Sequence, residues 1–134
     1  MSGKSKYSLQ MTWEASTPVP WVPNLPEPPV GSLTGAMAST NTIYTNIYDT
    51  TLYDNAGIEV AWTGTPTGVL SVMCSNSGTA FYALTFNPTL TQPAGSGGGY
   101  LIDLNQLPFK YVMLQYANAS GSGTLSAYIC VKDL

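Results

Sequence analysis

Residues 57–75 read GIEVAWTGTPTGVLSVMCS, and this stretch decides the fold class. Two segments in which apolar side chains alternate with small or polar ones flank a short connector, GTPTG, at residues 64–68. Alternation with a period of two is typical of a strand that buries one face, and glycine and proline are favoured in turns. The stretch therefore predicts two β-strands, Ile58–Thr63 and Val69–Ser75, joined by a turn.

The same pattern continues to residue 134, with Gly, Pro, Asn or Ser interrupting the apolar segments about every 8 to 12 residues. The chain shows no long 3.6-residue apolar period, and short strands at this spacing are typical of an antiparallel sandwich. We therefore predict an all-β fold, an antiparallel β-sandwich. Residues 42–53 are predicted to add one or two strands. The remaining predicted strands are Phe81–Phe86, Tyr100–Leu104, Tyr111–Ala117 and Thr124–Val131. Of these, Tyr111–Ala117 is apolar on both faces and is predicted to be central.

The N-terminal part of the chain differs in composition. Residues 17–29, TPVPWVPNLPEPP, contain six prolines in thirteen residues. Proline at this density excludes a helix and a central strand and favours an extended polyproline conformation. The sequence therefore predicts an extended Pro- and Trp-rich arm with its linker at residues 1–40, followed by the sandwich domain at residues 41–134.

This arm carries large apolar side chains that a simple spacer does not need, Trp13, Trp21, Val22 and Leu25 among them. Three explanations remain open: the arm folds back over its own sandwich, it docks on a neighbouring subunit or partner, or it is a ligand for an aromatic groove of another domain. Because large apolar and aromatic anchors concentrate interface energy, we predict these four residues as interface residues.

The surface of the sandwich is expected to be neutral. Hydrophobic residues make up 44% of the chain and charged residues 8%, so a core can form while little charge keeps copies apart. Four lysines and seven acids give a net charge of −3, the wrong sign for binding phosphates. No segment approaches the roughly 18 apolar residues of a membrane-spanning helix. We expect a homo-oligomer with no nucleic-acid partner and no membrane span.

The residue types exclude most familiar catalytic devices. The chain has no histidine, so the usual base for a Ser or Cys nucleophile is missing, and two cysteines alone do not make a structural zinc site. Paired carboxylates for glycoside hydrolysis would have to come from Asp49, Asp54, Glu59 and Asp103. We interpret Asp103 as an outward or capping carboxylate, with a catalytic dyad or a Ca²⁺ ligand as the alternatives. We therefore expect no enzymatic activity, no cofactor and no metal.

The two cysteines are predicted to be free thiols. Cys74 shares a strand face with Leu70 and Val72, whereas Cys130 shares one with Ser126 and Tyr128. One face is expected to be buried and the other to point outward. Since a disulfide needs Cβ vectors that converge, the two residues are not expected to pair.

Many aromatic side chains fall on the predicted strands, among them Trp62, Tyr82 and Tyr128. Tyrosines and a tryptophan on a neutral sheet can belong to the core, contribute to a protein interface or stack on sugar rings. A carbohydrate-binding β-sandwich module is therefore the alternative function, and a glycan a possible ligand.

Several segments together resemble a known class of proteins. The block DNAGIEVAWTGTPTG at residues 54–68, followed by VMCSN at 72–76, YVMLQY at 111–116 and SGSGTLSAYI at 120–129, resembles small β-sandwich structural proteins of tailed and other bacteriophages. The layout also resembles the discoidin-like jelly roll. The resemblance covers about residues 50–134 and leaves out the Pro-rich arm.

The resemblance implies a non-enzymatic part of a virus particle, either a capsid, decoration or minor capsid protein or a spike or tail component. It further implies other virion proteins as partners. Residues 1–10 contain no apolar run of the kind that a secretory signal needs. We therefore expect the protein in the virion, assembled in the host cytoplasm.

Overall fold

The computed structural model describes residues 6–14, 32–86, 89–105 and 107–132. Within these ranges the chain forms β-strands and turns and no helix, so the predicted all-β fold is confirmed. Every predicted strand has a counterpart within a few residues, and residues 42–53 hold two. The strands are β1 (Lys6–Gln10), β2 (Trp13–Glu14), β3 (Gly35–Met37), β4 (Thr42–Thr45), β5 (Tyr48–Asp49), β6 (Asn55–Gly64), β7 (Thr67–Ser75), β8 (Tyr82–Ala83), β9 (Gly98–Asn105), β10 (Tyr111–Ser120) and β11 (Gly123–Lys132).

The strands form two antiparallel sheets that pack face to face. The five-stranded sheet has the order β1-β11-β6-β9, and β3 pairs with the end of β11 that β1 leaves free. The six-stranded sheet has the order β2-β4-β10-β7-β8, and β5 also pairs with β10. As predicted, β10 is central, and Met113 on its outer face is only 4% exposed. Consecutive strands β6 and β7 lie in different sheets, so the GTPTG connector is a corner between sheets.

Two such corners lie against each other. The corner after β6 and the corner after β10 are joined by a hydrogen bond of 2.9 Å from Thr65 N to Ser122 O. Gly64 and Gly121 both have positive φ, 83° and 72°. A Cβ added at Gly121 would lie 2.1 Å from Thr65 O, so the two backbones approach more closely than any other residue allows.

The core lies between the sheets and is built by the alternation that the sequence shows. The burial pattern along β6, for example, changes at almost every residue. Trp62, Val72, Leu114 and Ile129, one from each long strand of the core, are at most 8% exposed. The inward faces of β6, β7, β10 and β11 are therefore the ones that the periodicity predicts.

The N-terminal region differs from the predicted boundary at residue 40. β1 pairs with β11 along its whole length, β2 pairs with β4, and β3 extends the same sheet as β1. Met11 is fully buried, so residues 6–14 are part of the sandwich. The physical reason is that the first proline is Pro18, and nothing before it prevents strand pairing. The prediction of an extended arm remains for residues 15–31, which lie outside the described residues.

Candidate interaction surface

The Pro-rich segment begins and ends at one place on the sandwich. Trp13 N donates to Ser32 O at 2.7 Å, and Ser32 N donates to Trp13 O at 3.0 Å, which forms an antiparallel bridge. Trp13 is also paired with Thr45 of β4 on its other side. The chain therefore leaves the edge of the six-stranded sheet after Glu14 and returns to the same edge at Ser32. The residues on either side of 15–31 therefore lie next to each other, and both ends of this segment are fixed at one sheet edge.

The Trp13–Ser32 bridge is the base of the Pro-rich segment, and the Trp13 side chain anchors this base in the core. Its side chain is 3% exposed and belongs to the buried cluster between the sheets. A Cβ added at Gly35 would lie 3.0 Å from the Trp13 ring and 2.6 Å from Ile43 Cδ1, so the absence of a side chain at Gly35 makes room for the indole. Trp13 was predicted at an interface, and the structure places it in the core of its own domain.

A cavity of about 360 Å³ lies beside this base. Among the described residues, neither Trp13 Nε1 nor Glu14 Oε2 has a hydrogen-bond partner, although both atoms are buried. Buried polar groups are nearly always paired in proteins, so a donor and an acceptor remain available here. The cavity is lined by Trp13, Glu14, Ser32, Thr34, Gly35, Ala36, Ile43 and Thr124.

The other predicted interface residues, Trp21, Val22 and Leu25, lie outside the described residues. Their role remains a prediction. What the structure adds is the position of both ends of the segment that carries them, at Glu14 and Ser32 on one sheet edge.

A second cavity, of about 410 Å³, lies at the end of the six-stranded sheet near β8. Tyr82 at its rim is 72% exposed, and Phe109 also lines it. Ser75, Asn76 and Ser77 add hydroxyl and amide groups. Aromatic rings beside uncharged hydrogen-bonding groups suit a neutral polyhydroxylated ligand.

The polar side of this second cavity is held by its own hydrogen bonds. Ser75 Oγ accepts from Gly78 N at 2.9 Å, and the Ser77 hydroxyl lies 3.3 Å from Ser75 Oγ. Asn76 Oδ1 accepts from Lys110 N at 3.0 Å. The loop is thus positioned mainly by its own side chains, an arrangement common where Ser and Asn follow a strand.

None of the four candidate carboxylates of the sandwich, Asp49, Asp54, Glu59 and Asp103, is buried. Asp49 Oδ1 accepts from Thr51 N at 2.9 Å, as in a turn, while Glu59 and Asp103 are exposed on the outer face of the five-stranded sheet. In the described ranges, no three His, Cys, Asp or Glu side chains are grouped to hold a metal ion. The structure therefore places Asp103 as the outward carboxylate that we predicted.

The two cysteines lie in different sheets and are free thiols. Cys74 on β7 is buried and Cys130 on β11 is half-buried, so the predicted difference in burial is confirmed. Burial raises the pKa of the Cys74 thiol to about 11, which disfavours the reactive thiolate.

One buried polar group was not anticipated from the sequence. Asn118 is 4% exposed; its Oδ1 accepts from Tyr116 OH at 2.9 Å, and its Nδ2 donates to Ser39 O at 2.7 Å and Gly121 O at 3.1 Å. Asn118-Ala119-Ser120 has the form of a glycosylation sequon, but the amide is consumed by these bonds. Its role is to hold the β10–β11 corner to the loop around Ser39.

The fold has counterparts among solved structures, whereas the sequence matches no protein-family model and no curated protein. The SPBc2 prophage-derived protein YomS is similar over 99% of this chain and 97% of its own, with 10% identity and a TM-score of 0.56. The enzymatically active domain of tailspike protein 4 of bacteriophage CBA120 aligns with 99% of this chain at 11% identity and a TM-score of 0.49, and this chain spans 19% of that protein. At such identities the likeness establishes the fold alone. The described part of the chain contains no helix long and apolar enough to cross a membrane.

Proposed function

We propose that this protein is a non-enzymatic structural component of a bacteriophage particle, in the capsid, as a decoration protein or in a spike or tail, acting through contacts with other virion proteins. Two findings support this proposal besides the sequence resemblance. The fold is similar over its whole length to that of a prophage-derived protein. The surface carries few charges, 8% of all residues, which lowers the electrostatic cost of packing against neighbours.

The observation that carries the proposal is the closed base of the Pro-rich segment. Two hydrogen bonds join Trp13 to Ser32, so the described residues that flank 15–31 are held together at one sheet edge. A segment with both ends fixed loses less conformational entropy on docking than a free arm of equal length. Trp21, Val22 and Leu25 lie within it and supply the apolar side chains of an interface.

The structure indicates how to test this role without damaging the fold. Deleting residues 1–35 would remove β1 and β2, so the better variant replaces residues 15–31 alone with a short Gly-Ser linker. The two ends are already hydrogen-bonded to each other, and a short linker closes them without strain.

We expect this variant to unfold cooperatively but to be lost from particles purified from infected or reconstituted material. A control variant, Leu52→Ser, removes an exposed apolar side chain outside the Pro-rich segment, since Leu52 is 80% exposed. Normal incorporation of the 15–31 variant would refute the role of this segment. If purified particles do not contain the wild-type protein in a fixed number of copies, the virion assignment itself is refuted.

A carbohydrate-binding module is the alternative function, and the specific observation in its favour is the cavity beside Tyr82. The 72% exposure of Tyr82 leaves its ring free to stack on a sugar. Glycan-array binding that is abolished by Tyr82→Ala and retained by Leu52→Ala, a change at another exposed site, would support this alternative. Absence of binding by the wild-type protein across the array would remove it.

A further inference from the structure

The strand β9 lies at one edge of the five-stranded sheet. In the described part of the chain it pairs with β6 alone, from Gly98 to Asn105. It is eight residues long and reads GGYLIDLN. Its outer side presents a row of backbone N–H and C=O groups, which in other proteins is a site for pairing with another strand.

The comparable edge of the six-stranded sheet is closed by the chain itself. The short strand β8 pairs with part of β7, and Leu84 N donates to Val72 O at 2.8 Å. Further along, the Gln92 side chain accepts from Leu70 N and donates to Leu70 O, as the backbone of a neighbouring strand would. The edge of β7 is therefore protected from an incoming strand.

Among the described residues, none protects the edge strand β9 in this way. It contains no proline and no lysine, and its single charge is Asp103. Leu101 on its outer face is 76% exposed and lies opposite Glu59, which in turn lies opposite Tyr128, itself 43% exposed. The edge therefore combines backbone groups that no other described strand pairs with and an exposed apolar side chain.

We propose that β9 pairs antiparallel with β9 of a second copy of this chain about a two-fold axis, so that one sheet runs through both copies. In the joined sheet, the core-facing side chains of both β9 strands must lie on the same side of the sheet. A core-facing residue can therefore lie opposite only a core-facing residue, and an outward-facing residue only opposite an outward-facing one. With the axis at Leu101 or at Ile102, seven of the eight residues remain paired. All other permitted positions of the axis shorten the pairing.

The side chains favour the axis at Leu101. There the two Leu101 side chains lie opposite each other, Tyr100 lies opposite Ile102, and Asp103 lies opposite Gly99 of the second copy. With the axis at Ile102, each exposed Leu101 would instead lie opposite an Asp103 carboxylate. Since cross-strand apolar pairs stabilise a sheet, the strand is complementary to itself in the first register.

This pairing extends the proposed structural role by naming a contact between copies. It does not involve residues 15–31 and is measured on the free protein. A failure here leaves the proposed function untouched, and a failure of the proposed function leaves this contact untouched.

The first test is the mass of the full chain in solution, by sedimentation equilibrium over a range of concentrations. We expect a dimer of twice 14.2 kDa. Leu101→Lys should weaken dimerisation at least about tenfold, or about 1.4 kcal/mol, because it sets two ammonium groups against each other at the axis. Leu52→Lys is the matched control, since Leu52 is 80% exposed and lies in a turn outside β9. A wild-type monomer at about 1 mM, or an unchanged Leu101→Lys dimer, overturns the proposal.

The second test concerns the register. Directly opposed residues of antiparallel strands have Cβ atoms about 4.5 to 5.5 Å apart, close to the range of a disulfide. In a Cys130→Ser background, Leu101→Cys should therefore give a covalent dimer on mild oxidation, and Asp103→Cys, which faces Gly99 of the second copy, should not. A Leu101→Cys dimer that does not cross-link, or a cross-link that forms instead between mixed Leu101→Cys and Asp103→Cys copies, overturns the Leu101 axis.

Discussion

Replacing Trp13 by alanine tests whether this side chain belongs to the core or to an interface. Trp13 is 3% exposed, packs over Gly35 and Ile43, and ties the base of residues 15–31 to β4. Truncating a buried tryptophan to alanine costs about 3 to 5 kcal/mol. For a domain of this size, each kcal/mol of lost stability lowers Tm by about 4 °C, a value between those of smaller and larger domains. Tm should therefore fall by roughly 12 to 20 °C.

The assay is urea unfolding of the isolated protein followed by fluorescence, with a thermal scan alongside it. Leu52→Ala is the control, because Leu52 is 80% exposed and its truncation should change stability by less than about 0.5 kcal/mol. A Trp13→Ala variant as stable as this control would refute the placement of Trp13 in the core and restore it to the interface.

A double-mutant cycle with Gly35→Ala makes the test specific to this contact. In the wild type, the added methyl group lies 3.0 Å from the indole and must displace it. In the Trp13→Ala background, the indole is gone and Ile43 Cδ1, 2.6 Å from the added methyl, can shift into the vacated space, so the same methyl should cost less. We expect a coupling of about 0.5 to 3 kcal/mol, and additive effects would show that the two residues do not share this space.

Three further predictions concern the core, the pH dependence and the thiols. Leu114 is fully buried, so Leu114→Ala should lower the free energy of unfolding by about 2 to 5 kcal/mol and lower Tm strongly. Ser122→Ala, at an exposed site, should leave Tm nearly unchanged. Equal Tm values for the two variants would contradict the placement of Leu114 in the core. Burial raises the pKa of Tyr48 from 10.0 to about 12, so its contribution to stability is full below pH 10 and is lost as the pH rises toward 12. Urea midpoints between about pH 9 and pH 11 should therefore fall less steeply for Tyr48→Phe, and parallel curves would show that Tyr48 does not contribute. With a thiol reagent, Cys130 should react in the native state and Cys74 only on unfolding. If both thiols react together in the native state, Cys74 is not buried. If neither reacts in denaturant, the two cysteines are not free thiols.

Much of the sandwich was predictable because its long strands bury one face. In β6 and β11 the alternation is local, so Trp62 and Ile129 could be assigned to the core without knowledge of their neighbours. The Gly and Pro residues of GTPTG also marked the connector correctly. The pattern did not reveal that this connector passes from one sheet to the other, because turn residues look alike in hairpins and in corners.

The base of the Pro-rich segment could not be predicted in the same way. β2 is only two residues long, and its partners at Ser32 and Thr45 are distant in sequence, so no periodicity reveals the pairing. Because of the prolines at residues 17–29, the whole of residues 1–40 was predicted as an arm. The strands β1 and β3, which lie on either side of these prolines, belong to the sandwich. The bonds of Asn118 to Ser39 depend likewise on tertiary contact alone.

The position of β11 in the chain bears on when this protein can fold. β11 follows the other strands in sequence, yet it lies at the centre of the five-stranded sheet, where it pairs with β1, β3 and β6. A nascent chain that ends before Gly123 therefore has no middle strand for this sheet, and its β6 and β9 offer their apolar sides to water. We expect limited proteolysis to digest such a truncated chain and spare the full one. Copies of this protein therefore become able to fold and to meet each other only after β11 has been synthesised.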